Sequence, residues 1–207
     1  LGAPIQKAPP MSANAATSVR PSSPATDLAL IAVFAGLISA FALAPAIPIG
    51  ALGVPITLQT LAVALTGMVL GAKRGFLAVL LYLVVGFAGL PVFAGGAAGL
   101  GVFAKPSIGY LLSFPFAAAL TGFLSYRVLA RRRRATWAWL SGAGLVASAL
   151  LVHPLGILGM ALVLHLDAGK ALVADLPFWP GDIVKNIAAG LVAAQVHRAF
   201  PALAARR

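Results

Sequence analysis

The sequence alternates long apolar runs with short clusters of proline, glycine and basic residues. Residues 28–72 carry no charged side chain over 45 positions, and this length suits two helices because a bilayer-spanning helix needs about 20 apolar residues. Helix-breaking residues interrupt the middle of the run at Pro45, Pro48, Gly50, Gly53 and Pro55. Since proline removes a backbone donor and disfavours helix at the preceding residue, we predict helix 1 at residues 28–44 and helix 2 at residues 57–70.

Four more helices follow from the same pattern. A third apolar segment begins at Gly75, directly after two basic residues, and passes into a glycine-rich run at residues 89–110. The remaining apolar runs predict helix 4 at residues 107–126, helix 5 at residues 136–155 and helix 6 at residues 181–199. The apolar run after helix 5 continues to residue 164, so a longer helix 5 is the alternative. The predicted fold is an all-α integral membrane protein with six transmembrane helices and a glycine-rich, outward-facing loop between helices 3 and 4.

The composition supports a membrane protein. The chain is 61% hydrophobic and 9% charged, with a mean hydropathy of +1.00, so polar side chains are too few to cover a water-facing surface of ordinary size. The net charge of +11 would suit a nucleic-acid partner, but the basic residues lie between apolar runs rather than among exposed aromatic side chains. We therefore predict the lipid bilayer as the surroundings and exclude nucleic acid.

Lysine and arginine positions predict the orientation of the bundle, since cytoplasmic loops carry the excess of basic residues. Six helices place twelve of the fifteen on one side: Lys7, Arg20, Lys73, Arg74, Arg127, Arg131 to Arg134, Arg198, Arg206 and Arg207. We predict a multi-pass protein of the cell membrane with cytoplasmic termini. The predicted domains are a disordered cytoplasmic tail at 1–26, a transmembrane domain at 27–200 and a cytoplasmic C-terminal tail at 201–207.

An aspartate and a lysine lie three residues apart in the stretch PGDIVKN, residues 180–186. Pro180 and Gly181 are typical of a turn before a helix, so we expect Asp182 and Lys185 on one face of the first turn of helix 6. Two interpretations are open. The pair is either a local ion pair, or, with Asn186, part of an outward-facing pocket for a small polar ligand, because charged residues at membrane depth usually mark a substrate path.

Other positions on the predicted outer side are further candidates. Gln59 is either an interhelical hydrogen-bonding group or a ligand contact. The glycine-rich run is either a loop whose glycines permit tight packing, or a lid over a cavity with Phe93, Phe103 and Tyr110 as apolar walls. Trp179 is either an interfacial anchor or a cover for a ligand ring.

Small residues follow helix 1 at four-residue spacing, with Ala32, Gly36 and Ala40 on one side. Such spacing lets another helix approach closely. Packing within the chain explains the pattern as well as a partner protein does.

Catalytic and nucleotide-binding motifs are absent from the sequence. It contains no Ser/His/Asp order, no HExxH and no GxxxxGK[ST], so we predict neither an enzyme nor ATP hydrolysis by the chain itself. His153 is interpreted as an interior histidine, and nothing near it has metal-ligand spacing. We predict no metal and no cofactor.

Five sequence blocks, in this order, resemble one known family. They are DLALIAVFAGLIS from Asp27, GVPITLQTLAVALTGMVLGAKRG from Gly53, GLPVFAGGAAGLG from Gly89, PSIGYLLSF from Pro106 and PGDIVKN from Pro180. From residue 27 to about residue 191 the chain is similar to the BioY family, the biotin-specific substrate-binding (S) subunits of energy-coupling factor (ECF) transporters. The order and spacing of all five blocks are more specific than any single block.

The resemblance implies a six-helix, substrate-binding bundle that captures biotin from outside. It also implies docking on a membrane-embedded coupling subunit that carries two cytoplasmic ATPase subunits, with Ala32 and Gly36 as the docking surface. Asp182 and Lys185 match the family's polar ligand contacts. The chemistry agrees, because a carboxylate can accept from the ureido N–H groups of biotin and an ammonium can donate to its carbonyl or carboxylate, while Phe93, Tyr110 and Trp179 cover the rings.

The chain departs from the family pattern at the loop before helix 4. Residues 105–110 read KPSIGY where the family often reads close to GPTGGY, and Ala97 and Ala98 stand near the position of an arginine that some members carry. If that arginine meets the ligand carboxylate, Lys105 is the candidate replacement. Two alternatives stay open: an S subunit for another vitamin, such as thiamine or riboflavin, and a self-powered secondary transporter, which would place a carboxylate within a helix as a proton relay.

Overall fold

The structure, a computed structural model, describes residues 23–48, 53–131, 136–201 and 203. Those residues form α-helices joined by loops and short 3₁₀ or π turns, with no β-strand among them. The helices are α1 (Pro24–Leu43), α2 (Gln59–Phe87), α3 (Ile108–Arg131), α4 (Thr136–Ala147), α5 (His153–Leu164), α6 (Ala168–Asp175) and α7 (Phe178–Ala199). The all-α prediction is confirmed for this part of the chain. Most of the tail predicted at 1–26, and all but two residues of the tail predicted at 201–207, lie outside it.

Helix α1 begins three residues before the predicted domain boundary. The Ser23 side chain accepts a hydrogen bond from the Thr26 backbone N–H at 3.2 Å, and Pro24 occupies the first helical turn. Both features suit a helix start, because a serine cap satisfies a free donor and proline has no N–H to lose. Asp27 lies in the first turn, where an acidic side chain complements the helix dipole.

Helix α2 is a hairpin rather than one straight rod. Its backbone leaves helical geometry at Gly71, with φ 80° and ψ −176°, a conformation that only glycine adopts readily. The Gln59 side-chain amide donates to the Tyr82 hydroxyl at 2.8 Å, whereas 23 residues of straight helix would separate them by roughly 35 Å. The two arms therefore lie side by side, and the turn predicted at the two basic residues after Ala72 falls at Gly71.

Helices α4 and α5 form one continuous segment, Thr136–Leu164, nine residues longer than the predicted helix 5. A π turn at Ser148–Val152 joins them. Such turns insert an extra residue into a helix and often occur at functional sites. Here the turn ends directly before His153, whose side chain is buried.

The connector predicted between helices 5 and 6 contains the short helix α6. The Asp167 side chain caps it by accepting from the Lys170 backbone N–H at 2.9 Å, and this hydrogen bond holds the pKa of the Asp167 carboxyl below its ordinary value. Helix α7 then begins at Phe178, so the turn predicted at Pro180 and Gly181 is wrong. Proline is tolerated in the first turn of a helix, and Asp182 consequently lies in the second turn instead of the first.

The bundle has two chemically different ends. At one, called the basic end, Arg74 pairs with Asp27 at 2.9 Å, and the Tyr126 hydroxyl contacts the Val69 and Leu203 carbonyl oxygens at 3.0 Å. The other, called the pocket end, contains the antiparallel bridge between Ile47 and Ile56, the glycine-rich run and the start of α7.

Four segments of the described chain are long and apolar enough to cross a membrane. They are Pro24–Leu43, Gln59–Phe87, Ile108–Arg131 and Thr136–Leu164. Large apolar side chains also point outward from the bundle, for example Val33 and Leu162. Such a surface suits lipid and is unusual for a water-soluble monomer.

Candidate functional site

A cavity of about 70 Å³ lies at the pocket end. Its walls come from the segment before α2, the glycine-rich run, the start of α3 and the start of α7; they include Ile56, Gln59, Thr60, Phe93, Tyr110 and Asp182. Pockets for small molecules usually enclose about 300 Å³ or more. We therefore expect some of these segments to move apart when a ligand of vitamin size enters.

The polar part of the cavity is a buried ion pair. Lys185 Nζ lies 2.8 Å from Asp182 Oδ1, and both side chains are less than a tenth exposed. Thr60 joins them, because its hydroxyl donates to Asp182 Oδ1 at 3.0 Å and accepts from Lys185 Nζ at 3.1 Å. The two hydrogen bonds tie α7 to the first turn of α2, so the predicted contact between the two charges exists, in a site shielded from water.

A second carboxylate lies behind this pair. Asp175 is fully buried and accepts hydrogen bonds from the Tyr110 hydroxyl at 2.6 Å and the Trp179 indole N–H at 2.8 Å. His153 Nδ1 lies 2.8 Å from its Oδ2 atom, and His153 Nε2 lies 3.5 Å from Asp182 Oδ2. One chain of polar contacts therefore runs from the cavity, through His153, to the end of α6.

The apolar wall comes mainly from the glycine-rich run. Phe93 is buried and packs edge-on against the Tyr82 ring at a centroid distance of 5.3 Å. Phe103, predicted as a second wall, is not among the cavity's lining residues; it is exposed and stacks on Phe87. Tyr110 lies near Phe178 across the cavity, with ring centroids 5.7 Å apart.

The candidate residues separate into two groups. Those that line the cavity are Asp182, Lys185, Gln59, Tyr110, Phe93 and Lys105. Asn186 and Trp179 lie behind its surface: the Asn186 amide donates to the Asp182 carbonyl oxygen at 2.9 Å, and the Trp179 ring stacks on His153 at 4.1 Å. Neither of the two is among the residues that line the cavity.

The small residues of α1 divide between two faces. Ala35 packs inside the bundle, whereas Ala32, Gly36 and Ala40 are exposed. A side chain added at Gly36 would meet no described atom within 4 Å. This stripe therefore lies on the outside of the bundle and contributes no lining residue to the cavity.

Thr60, His153 and Asp175 were missed by the sequence-based interpretation. A threonine within an apolar run carries no distinctive signal, and His153 was taken for an interior histidine without a role. Asp175 lies four residues before Trp179, a spacing that brings side chains together on helical structure, but α6 itself was not predicted. No described residues group three His, Cys, Asp or Glu side chains in a metal-binding arrangement.

We expect Gly86→Ala to loosen the apolar wall. A methyl group at Gly86 would overlap the Phe93 ring, so Phe93 has to leave its buried position or the α2 backbone has to shift. Intrinsic fluorescence cannot isolate one phenylalanine, so the measurement is limited proteolysis of the glycine-rich run. Gly101→Ala is the matched control, since Gly101 lies in the same run with no atom near the added methyl. Equal cleavage rates in both variants would contradict the expectation.

Comparison with known proteins places this architecture in a family. The model of the BioY family matches residues 11–202. The chain is 40% identical over 182 residues to the biotin transporter BioY of Rhizobium etli, covering 87% of this chain and 97% of that protein. It is 44% identical over 193 residues to the biotin transporter BioY of Rhodobacter capsulatus, covering 87% and 98%.

A solved structure agrees with these sequence matches. The S-component for biotin from an ECF-type ABC transporter superposes with a TM-score of 0.78 at 28% identity, covering 84% of this chain and 92% of that one. The similarity predicted from the five sequence blocks is thereby confirmed. This chain belongs to the BioY family.

Proposed function

We propose that this chain captures biotin at the pocket end and takes it up across the cell membrane as the substrate-specific component of an ECF-type transporter. The observation that carries the proposal is the buried Asp182–Lys185 pair, which lines a cavity that also has apolar walls such as Phe93 and Phe114. Buried charges are costly unless they are paired or serve a ligand. Similarity to biotin transporters and to a biotin S-component supports the choice of ligand.

The cavity matches the functional groups of biotin. The ureido ring of biotin offers two N–H donors and one carbonyl acceptor. Thr60 and Lys185 both contact Asp182 Oδ1, so Asp182 Oδ2 can accept from a ureido N–H. Lys185 can donate to the ureido carbonyl. Phe93 and Tyr110 supply apolar cover for the fused rings. In a dry site both polar contacts are stronger than they would be in water.

The proposed membrane arrangement has six crossings. The two arms of α2, joined at Gly71, count separately, and α1, α3, the α4–α5 segment and α7 supply the others. The basic end is assigned to the cytoplasm because basic residues concentrate there. The pocket end and its glycine-rich run then face outward, where biotin arrives.

The test is equilibrium binding of biotin, thiamine and riboflavin to the full chain purified in detergent. We expect tight binding of biotin and none of the other two. Preference for another vitamin would support an S subunit of different specificity. No binding by a chain whose thermal unfolding remains cooperative would overturn the proposal.

Lys105 is proposed to meet the ligand carboxylate. It lines the mouth of the cavity and is exposed, as suits a charge that closes over the ligand last. We expect Lys105→Ala to weaken biotin binding roughly 10-fold, the cost of one charged hydrogen bond. Biotin amide is the matched control ligand, because it lacks the carboxylate and should bind both proteins alike. An unchanged biotin affinity would remove Lys105 from the site.

The exposed stripe on α1 is proposed to dock the coupling subunit of an ECF module with its two ATPases. Close helix approach needs small residues, and a side chain at Gly36 points away from the rest of the bundle. We expect Gly36→Leu to leave biotin binding unchanged and to lower uptake in cells expressing the module at least several-fold. Ala138→Leu introduces the same leucine side chain on an exposed part of α4 and should leave uptake intact. Full uptake by Gly36→Leu would contradict docking on this face.

A further inference from the structure

The buried site has an unbalanced charge if its histidine is neutral. Among the described residues the buried carboxylates are Asp175 and Asp182, and the buried ammonium is Lys185. Two negative charges and one positive charge leave one carboxylate without compensation in a region shielded from water. An unpaired buried charge is costly, so a further cation is expected close by.

His153 occupies the position of that cation. Its Nδ1 atom lies 2.9 Å from Asp175 Oδ1 and 2.8 Å from Asp175 Oδ2, an arrangement that requires Nδ1–H to donate. In a neutral ring the proton on Nδ1 leaves Nε2 with a lone pair, and that lone pair would face Asp182 Oδ2 at 3.5 Å. Two acceptors would then oppose each other, whereas a doubly protonated ring presents a donor to each carboxylate.

The surroundings of His153 favour the charged ring. Asp175 also accepts from Tyr110 and Trp179, so three donors surround it, as suits an ionised carboxylate. The Trp179 indole lies parallel to the His153 ring, with centroids 4.1 Å apart and planes 10° apart, and the face of tryptophan attracts cations. Lys185 is the other buried cation, and its Nζ atom contacts Asp182 Oδ1 and the Thr60 hydroxyl. His153 faces the other carboxylate oxygen, Asp182 Oδ2.

We propose that His153 carries a positive charge in the ligand-free protein and, held by Asp175 and Trp179, positions Asp182 as the acceptor for the ligand N–H. Lys185 holds one oxygen of Asp182 and His153 faces the other, so the carboxylate is fixed in orientation and kept ionised. The inference rests on the proposed function only in naming biotin as that ligand. His153 is a positioning residue, because it acts through Asp182, and it directly follows the π turn Ser148–Val152.

The protonation state is measurable without any ligand. The full chain, labelled with ¹⁵N-histidine and purified in detergent, gives ring nitrogen shifts that separate charged from neutral imidazole. Signals are assigned by their loss in His165→Gln and His197→Gln. We expect two protonated nitrogens for His153 at neutral pH. His197, whose Nε2 lies 2.9 Å from the Met68 carbonyl oxygen, faces no carboxylate among the described residues and should be neutral. A neutral His153 ring would overturn the proposal.

The positioning role is tested by binding. His153→Gln keeps a neutral donor and removes the charge, and it should weaken biotin binding roughly 10- to 100-fold. Parent affinity should fall over the pH range in which the ¹⁵N signals record loss of the His153 proton, while the variant shows no such fall. His197→Gln is the matched control and should bind as the parent does. Unchanged affinity in His153→Gln would overturn the positioning role.

The two proposals fail in different ways. A charged His153 in a parent that binds no biotin would refute the proposed function and leave the assigned charge standing. Biotin binding by a parent whose His153 is neutral would support the proposed function and refute the assigned charge. If His153→Gln does not fold, Asp175→Asn tests the same coupling, because it removes the negative charge beside Nδ1 and should abolish the charged-ring signal.

Discussion

Lys185→Met is expected to lower the free energy of unfolding by about 3 kcal/mol, because it leaves Asp182 buried without its closest cation. Adding Asp182→Asn should recover most of that loss, since an amide carries no charge and still accepts from Thr60. Biotin binding should be lost in the single and the double variant alike. The measurements are reversible unfolding in mixed micelles and equilibrium binding in the same detergent.

The chain contains a matched control for this experiment. Lys170 and Asp167 are also three residues apart with a 2.9 Å ion pair, but their side chains are 74% and 59% exposed. Water screens such a pair and competes for it, so Lys170→Met should change neither unfolding nor binding. If the double variant at 182 and 185 unfolds as easily as Lys185→Met alone, the cause of the loss is not the unpaired carboxylate.

Gly122→Ala is expected to cost about 3 kcal/mol of stability through overpacking. A methyl group there would lie 2.6 Å from the Ala72 backbone nitrogen and would also overlap the backbone of Gly71. Neither neighbour can yield cheaply, because both atoms belong to the turn of the α2 hairpin, where Gly71 has a positive φ that other residues rarely adopt. Thermal unfolding in detergent measures the effect.

The control for this substitution is Gly142→Ala on α4. An added methyl group there meets no described atom within 4 Å, and alanine favours helix more than glycine does. We expect unchanged or slightly higher stability. Equal unfolding temperatures in the two variants would mean that α3 does not pack tightly against the hairpin turn.

The sequence predicts the helices well where apolar runs are long and breaks are strong. The prolines around residue 50 separate α1 from α2, and the glycine-rich run separates α2 from α3. Pattern reasoning failed where one signal has two meanings. Pro180 was interpreted as a turn residue although proline also fits the first turn of a helix, and the two basic residues after Ala72 were taken to mark a turn that falls at Gly71.

The candidate site was predictable only in part. Asp182 and Lys185 stand out because charges are rare in this chain and the two are three residues apart. Thr60, His153 and Asp175 come from other helices, and only the folded chain brings them to the pair. Contacts between residues far apart in the chain produce no periodic pattern in one sequence. From the sequence alone, His153 therefore cannot be distinguished from an interior histidine without carboxylate neighbours.

The hydrogen bond between Gln59 and Tyr82 has a consequence for the kinetics of ligand exchange. It fastens the two arms of α2 beside the cavity, while Arg74 and Asp27 fasten the hairpin to α1 at the opposite end. Because these contacts hold the α2 hairpin at both ends, we expect the glycine-rich run, rather than α2, to move when a ligand enters. We then expect residence time to depend on how often that run opens, so substitutions of its residues that do not line the cavity, such as Gly101, should alter on-rate and off-rate together and leave the affinity unchanged.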